Sequence, residues 1–468
     1  MRVIQESVPI HEQNKIECRY LSNYEKGDQP VLHREKTIRP EINNKVVVNV
    51  ASEVTEFKLS RSFANPINYV QKSASEDDNV EIEDAGISLL NEMLFEEDKQ
   101  GKDLQLSKTV LVTGIGFRGV FAKDNEYRTG KSVVDVVQLD PCCTFVVRSA
   151  DMHHRPVLAC TYWVEDVNGI YIKHYTAYTS DSIYTFDDTT TGPVNKEPNP
   201  IGMIPIIEYI YDYERMGCFE RALSQCDALN ECASSRLDGL DQSIQSFVWF
   251  NNVDITSDEF KELKDMGGLV TASRDGLNAS VEFLKCDLNQ TEVQTLADDY
   301  YGQILRTCNV PSRGESSGST TGQSAMLSGG WQEADEAANR LEMNFRASEI
   351  EFIKVLMHII HLERVEGLED LEASDIDVKF TRNNVSNLLS KTQALLNMLN
   401  AGVYPLRALE KVGLFDDAQQ TWNDSKPYMK KWIPEVEPTI QTGTNYNNND
   451  PETVTEEQNQ SQSYINGI

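Results

Sequence analysis

The chain has 468 residues, 40% of them hydrophobic, and sets 43 Lys and Arg against 74 Asp and Glu for a formal net charge of −31. That length exceeds what one core usually organises, so roughly two to four modules are expected. No apolar run approaches bilayer-spanning length, and Met1-Arg2-Val3-Ile4-Gln5-Glu6 lacks the parts of a secretion signal. The chain is therefore expected to stay in a cytoplasm or in something assembled there. So acidic a balance argues against a general nucleic-acid binder, though not against DNA that the protein must let slide past.

Residues 1–40 read as a short helix, a turn at 24–28 and an extended segment ending at Pro40. Lys45-Val46-Val47-Val48 could open a helix continuing towards Phe63, which Ala64-Asn65-Pro66 would end. Ile67-Asn68-Tyr69-Val70 reads as a short strand, 77–84 as an acidic linker and 86–99 as a helix. From 107 to 211 the pattern turns to strands at 110–112, 133–139, 144–147, 159–164, 170–178, 183–186 and 206–210, each bounded by turn residues.

The stretch 219–331 is the most informative. Cys226, Leu229, Ala233, Leu237, Leu240, Ile244 and Phe247 recur in steps of three and four. That predicts a helix over 219–247 with one narrow buried stripe, leaving Asp227, Glu231, Asp238 and Asp241 in water. At 1.5 Å per residue it would reach roughly 43 Å. A helix so long with so narrow a stripe suits an assembly, such as a ring or channel, better than an isolated subunit.

A small mixed insert over 249–290 follows, with strands at 269–271 and 281–284 beside a helix at 257–266. A returning helix over 291–307 stops before Pro311, and 313–322 is a Gly/Ser/Thr loop. The longest helix is predicted over 325–362, bent at Gly329-Gly330. Residues 388–414 read as two helices broken at 402–405, and the tail 433–468, without Lys or Arg, as disordered.

Motifs that suggest chemistry have weak support. Gly114-Ile115-Gly116-Phe117-Arg118-Gly119 matches a dinucleotide loop, but a strand rather than a helix N-terminus is expected after it. Gly130-Lys131-Ser132 ends like a phosphate-binding loop, yet Asn125 stands where its first glycine belongs. His153-His154, near Cys142-Cys143 and Cys160, fits no zinc spacing, and His358 with His361 lacks the glutamate of a metalloprotease helix. Nine cysteines without C-x-x-C spacing read as buried free thiols. No catalytic set stands out, so no enzyme, metal or cofactor is expected.

The order of segments resembles the portal proteins of tailed bacteriophages, of the long-tailed type that infects Gram-positive hosts. The resemblance rests on Tyr24-Glu25-Lys26-Gly27, Asn43-Asn44-Lys45-Val46-Val47-Val48-Asn49 and Ser62-Phe63-Ala64-Asn65-Pro66-Ile67, with Ala64 where the family usually has Gly. It continues through Asn199-Pro200-Ile201-Gly202-Met203-Ile204-Pro205-Ile206-Ile207-Glu208 and Asp227-Ala228-Leu229-Asn230. Val310-Pro311 and Gly322-Gln323-Ser324-Ala325-Met326-Leu327 complete it, the family's Ser-Gly before Ala-Leu being displaced.

The resemblance implies an α+β portal fold in a twelve-subunit ring around a DNA tunnel, assembled in the host cytoplasm and carried in the virion. It implies an arm and β-rich wing over 1–218, stem helices at 219–247 and 291–308, and a clip at 248–290. A tunnel loop at 309–323, a long wing helix and strand over 324–386, a helical crown at 387–432 and the acidic tail would follow. The DNA-facing loop residues would be Arg313, Glu315, Ser316, Ser317, Ser319, Thr320 and Thr321, with Arg306 and Arg313 as phosphate neighbours. Asp227, Glu231, Asp238 and Asp241 would form the stem's channel face. Asp254, Asp258, Glu259, Lys261, Lys264, Asp265 and Arg274 would serve docking at the clip. Implied partners are double-stranded DNA, the terminase large subunit, the head–tail adaptor, and the major capsid and scaffolding proteins, with no membrane. The alternatives are a nucleotide-binding enzyme using 114–119 and another ring component of a virion.

Overall fold

This computed structural model describes residues 2–72, 80–124, 126, 128, 130–187, 194–244, 247–251, 256, 258, 261, 280–284, 290–312, 330–382, 388–415, 418–425 and 428. They fall into two compact units, Met1–Val385 and Ser386–Ile468.

The first unit opens with α1 (Arg2–Glu25), longer than the short helix predicted, and turns at Gly27 with φ +99°. A single 3-10 turn (Pro30–His33) and an extended run lead to α2 (Val50–Phe63), β1 (Asn68–Gln71), α3 (Val80–Glu96) and α4 (Lys99–Thr113). The valines at 46–48 therefore lie outside the helix. Asn49 starts it, its Oδ1 accepting the Ser52 N–H at 3.3 Å.

Residues 110–112, expected as a strand, close α4 instead. Leu106, Ser107, Val110 and Leu111 are all buried, a helical spacing that tertiary packing imposes on a locally strand-like run. Gly114 caps this helix with φ +79°, and the glycine motif then runs into β2 (Ile115–Ala122). It thus follows a helix and enters a strand, the reverse of a dinucleotide loop.

β2 lies between β3 (Val134–Leu139) and β9 (Ile206–Ile210), antiparallel to both. A five-stranded meander joins β4 (Thr144–Arg148), β5 (Pro156–Val167), β6 (Ile170–Tyr178), β7 (Ser182–Asp187) and β8 (Asn195–Pro198). Ile4 of α1 covers it over Phe145, Leu158, Tyr162 and Tyr175.

Next come α5 (Leu223–Ile244), β10 (Phe247–Asn251), β11 (Ser280–Leu284) and α6 (Gln290–Thr307). Phe247 thus opens a strand rather than closing the helix. α7 (Trp331–Glu363) starts at Gly330, φ +79°, so the predicted bend is a beginning, and β12 (Ile376–Lys379) pairs with β1.

The main core gathers Leu90, Leu111, Val120, Tyr209, Phe345 and Phe352 from α3, α4, β2, β9 and α7. Four charges are buried within it. Arg118 donates to Glu349 at 2.7 Å and also to Asp103, while Lys99 lies 2.7 Å from Asp103 and 3.3 Å from Glu349. Tyr69 and Tyr209 donate to Glu349 at 2.5 and 2.9 Å. Two cations thus meet two carboxylates, the condition under which buried charge is tolerated.

The second unit holds α8 (Leu388–Asn400), α9 (Pro405–Val412) and α10 (Ala418–Ser425) around Leu409 and Trp422. The break at 401–404 agrees with the sequence reading.

Candidate channel helices and the segment that covers them

α5 and α6 pack together and are joined through the antiparallel β10–β11 ribbon. At the core end they bury Cys226, Leu229, Ile304 and Leu305. Towards the ribbon the apolar residues come out: Leu237, Leu240 and Leu296 are all exposed. The stripe predicted along α5 is therefore apolar only over its first turns.

Beyond Leu229 the covered face is polar, because α5 serves as the hydrogen-bonding partner of an extended strand. Val48 N–H donates to Asn230 Oδ1 at 2.7 Å, Val46 N–H to Ser234 Oγ at 2.9 Å, and Asn44 N–H to Asp238 Oδ1 at 2.7 Å. Four helical residues advance about 6 Å and two strand residues about 6.6 Å, so the two periods nearly match over three rungs. Each rung satisfies a backbone N–H that would otherwise lie unpaired against the helix.

Side chains of the strap add charge. Lys36 and Arg34 reach Asp238 at 2.5 and 3.0 Å, and Arg34 also reaches Glu231 at 2.8 Å. Asn44 Nδ2 donates to Asp241 at 2.7 Å, and Tyr24 OH to Asp227 at 2.8 Å. Asp238 is only 4% exposed. Burial alone would raise its carboxyl, but the bonds from Lys36 and Asn44 outweigh that and hold it below the usual range.

This corrects the expectation that all four acids stay wet. Glu231 is exposed, Asp227 and Asp241 are half-buried, and Asp238 is buried, all engaged by residues 24–44 of the same chain. From the sequence Asn230 enters only as part of the family motif Asp227–Asn230, and Ser234 not at all. Their signal is a run of small polar residues at i, i+4 and i+8 inside a helix.

Arg306 is exposed in the last turn of α6, its Nε donating to the Gly302 carbonyl at 3.1 Å. Asp258 and Lys261 are exposed and 3.8 Å apart. Asp254, Glu259, Lys264, Asp265, Arg274, Arg313, Glu315, Ser316, Ser317, Ser319, Thr320 and Thr321 lie outside the described residues, as do the predicted strand at 269–271 and the tail.

The family profile described as "Phage portal protein, SPP1 Gp6-like" matches residues 4–427. The chain belongs to this family of phage portal proteins. No curated protein sequence is detectably similar to it. A chain from a solved structure, the "Virion of native gene transfer agent (GTA) particle", is similar at 13% identity and a TM-score of 0.42, over 79% of this chain and 90% of that one.

In this portal protein the features that suggested other chemistry have structural explanations. His154 sits in an exposed turn with φ +45°. His358 and His361 bond the carbonyls of Ile201 and Leu371 at 2.7 and 3.1 Å. Cys18, Cys160, Cys226 and Cys308 are buried free thiols, each pushed up to about 12 by burial. Among the described residues no helix is long and apolar enough to cross a membrane.

Proposed function

We propose that this portal protein forms a ring of about twelve copies at one capsid vertex, a closed cyclic assembly through which a separate motor drives double-stranded DNA. The helix–ribbon–helix unit of 223–307, within a chain matched to the portal family over 4–427, carries this reading. Residues 1–218 and 324–386 would make the wing, 219–247 and 291–308 the stem, 248–290 the clip, 309–323 the tunnel loop and 387–432 the crown. Leu237 and Leu240, exposed in one subunit, are apolar surface for a neighbouring copy to cover.

Because residues 24–49 of the same chain cover the acidic face of α5, the face offered to DNA is assigned to α6. Glu292, Asp299, Gln303 and Arg306 are exposed there in steps of seven, four and three, one side of a helix. Mostly acidic or neutral, with Arg306 at the end, that side would let a polyanion slide without being gripped. The β10–β11 ribbon, with Asp258 and Lys261 in the segment it brackets, would dock the terminase large subunit and later the head–tail adaptor. Capsid and scaffolding proteins would surround the wing.

Single-particle imaging with mass from light scattering tests the assembly. The expected particle is a ring near twelve times 52.9 kDa with a hole that admits duplex DNA. A compact particle that stays monomeric in the presence of scaffold would refute it. The alternative, nucleotide binding at 114–119, loses its footing because the helix precedes the glycines.

A further inference from the structure

Away from the channel helices, the meander sends a two-stranded ribbon out beyond its neighbours. β4 pairs with β5 only as far as Thr161, and β7 pairs with β6 only from His174 onward. The rungs from Val164–Lys173 to Val167–Ile170 therefore have no strand on either side among the described residues. A two-stranded ribbon by itself is marginal in water. Alternation puts Trp163, Glu165, Val167, Ile170 and Ile172 on one side of it. Tyr162 and Tyr175, packed with Ile4 of α1, face the other. Ala159, on the Trp163 side, is buried with Phe117 of β2 and Ile206 of β9. Past Thr161 that cover ends, leaving Trp163 58% and Ile170 68% exposed.

Trp163 is nonetheless held in place. Its ring stacks on His174 with centroids 4.2 Å apart, and His174 lies between Asp187 at 2.6 Å and Glu165 at 3.0 Å. A side chain already ordered loses little freedom when a partner covers it, so the ribbon is prepared for contact. From Trp163 to Ile172 it carries Glu165 and Asp166 and no Lys or Arg. The surface that fits it is apolar and bears positive charge, and a chain of net charge −31 has little such surface.

The outer side of α7 supplies it. Arg340, Met343, Ala347 and Ile350 are exposed there in steps of three, four and three. Among the described residues 338–350, Arg340 and Arg346 are the exposed charges, and Arg346 pairs with Asp377. Lengths agree as well: Trp163 to Val167 spans about 13 Å of strand, and Arg340 to Ile350 about 15 Å of helix. We propose that the ribbon of one copy lies along the α7 stripe of the next. Glu165 reaches Arg340, and the apolar side chains of the ribbon cover Met343, Ala347 and Ile350. Two different surfaces meeting in this way make a heterologous contact, which closes into a ring when the rotation permits. The contact would be one seam of the ring proposed above, and it rests on that reading.

The test is a charge swap in the full-length protein, read as the fraction of mass in rings by light scattering. E165R and R340E should each lower that fraction several-fold at a fixed concentration, and the two together should restore it. Both positions are exposed, so the subunit itself should still fold. Independently, a benzophenone side chain in place of Ile170 should cross-link to residues 340–350. In an equal mixture of light and heavy-nitrogen subunits, products of mixed isotope would place that contact between copies. Normal rings in both single variants overturn the contact and leave the ring standing, as do cross-links to another surface or to a capsid or scaffolding protein. A wild-type chain that stays monomeric with scaffold present would remove the ring reading and this seam with it.

Discussion

Asp238 accepts the backbone N–H of Asn44 at 2.7 Å, and from the same buried position it holds the ammonium of Lys36 at 2.5 Å. A helix carboxylate thus does the work of a neighbouring strand, with Ser234 and Asn230 repeating it one and two turns earlier. Removing it unpairs a backbone donor, leaves Lys36 without a carboxylate and leaves Arg34 with Glu231 alone. Asp238→Ala is expected to destabilise the first unit by about 2–4 kcal/mol. Asp238→Asn, which keeps an acceptor, should cost less. Denaturant unfolding reads both, and equal losses would show that charge contributes nothing.

The same residue sets an acid limit. Its folded pKa lies below its ordinary value, so the folded state binds fewer protons, and the stability is full above the unfolded pKa near 3.8. It is lost as pH falls from about 4 through the lowered folded value. Glu208, held down by Arg215 and Arg148 against its own burial, adds a loss of the same sign starting near 4.5. Wild type should therefore lose stability steeply below about pH 4, and Asp238→Asn more shallowly. Parallel curves of unfolding free energy against pH would contradict this assignment.

The buried quartet makes a sharper prediction. Glu349 is fully buried and takes Arg118, Lys99, Tyr69 and Tyr209 together. Glu349→Gln leaves Arg118 and Lys99 sharing only Asp103, and should cost about 3–5 kcal/mol. The double variant Glu349→Gln with Arg118→Met should lose less than the sum of the singles, because one excess charge leaves with the other. Additive losses in a double-mutant cycle would mean the pair is not coupled.

Much of this was legible in the sequence, and the failures share a cause. Ile170–Tyr178 and Ile206–Ile210 were located to the residue because alternation and turn residues bound them. Val110-Leu111-Val112 looks like a strand locally, and only packing against β2 makes it helical. On α5 the count of apolar spacings placed Leu237 and Leu240 inside and Asp238 outside, and all three came out reversed. Periodicity records which residues shun water. It cannot record that Asn230, Ser234 and Asp238 are wanted inside as acceptors, because their partner lies roughly 190 residues away in sequence.

Gly114 separates the two uses of its motif. It has φ +79°, and a Cβ there would stand 2.1 Å from the Arg215 carbonyl oxygen. Gly114→Ala must shift backbone at the α4–β2 corner and should destabilise by more than about 2 kcal/mol. Calorimetry with ATP or NAD should show no binding to wild type. Binding that vanished in the variant would revive the nucleotide reading.

Arg306 and Arg313 test the path of DNA. Arg306 ends the exposed side of α6, seven residues before Arg313, which lies outside the described residues. If these two meet phosphates, neutralising both to Gln removes contacts that attract any sequence equally and that weaken with salt. The folded subunit should be unaffected, since Arg306 is exposed and bonds only its own helix among the described residues. The expected result is an intact ring that packages DNA but holds it poorly. The genome fraction released from filled particles should rise, most of all at high ionic strength, where the remaining contacts are screened. Release equal to wild type at every salt concentration would place the DNA contacts elsewhere, and the neutral face of α6 at Gln303 would be the next to change.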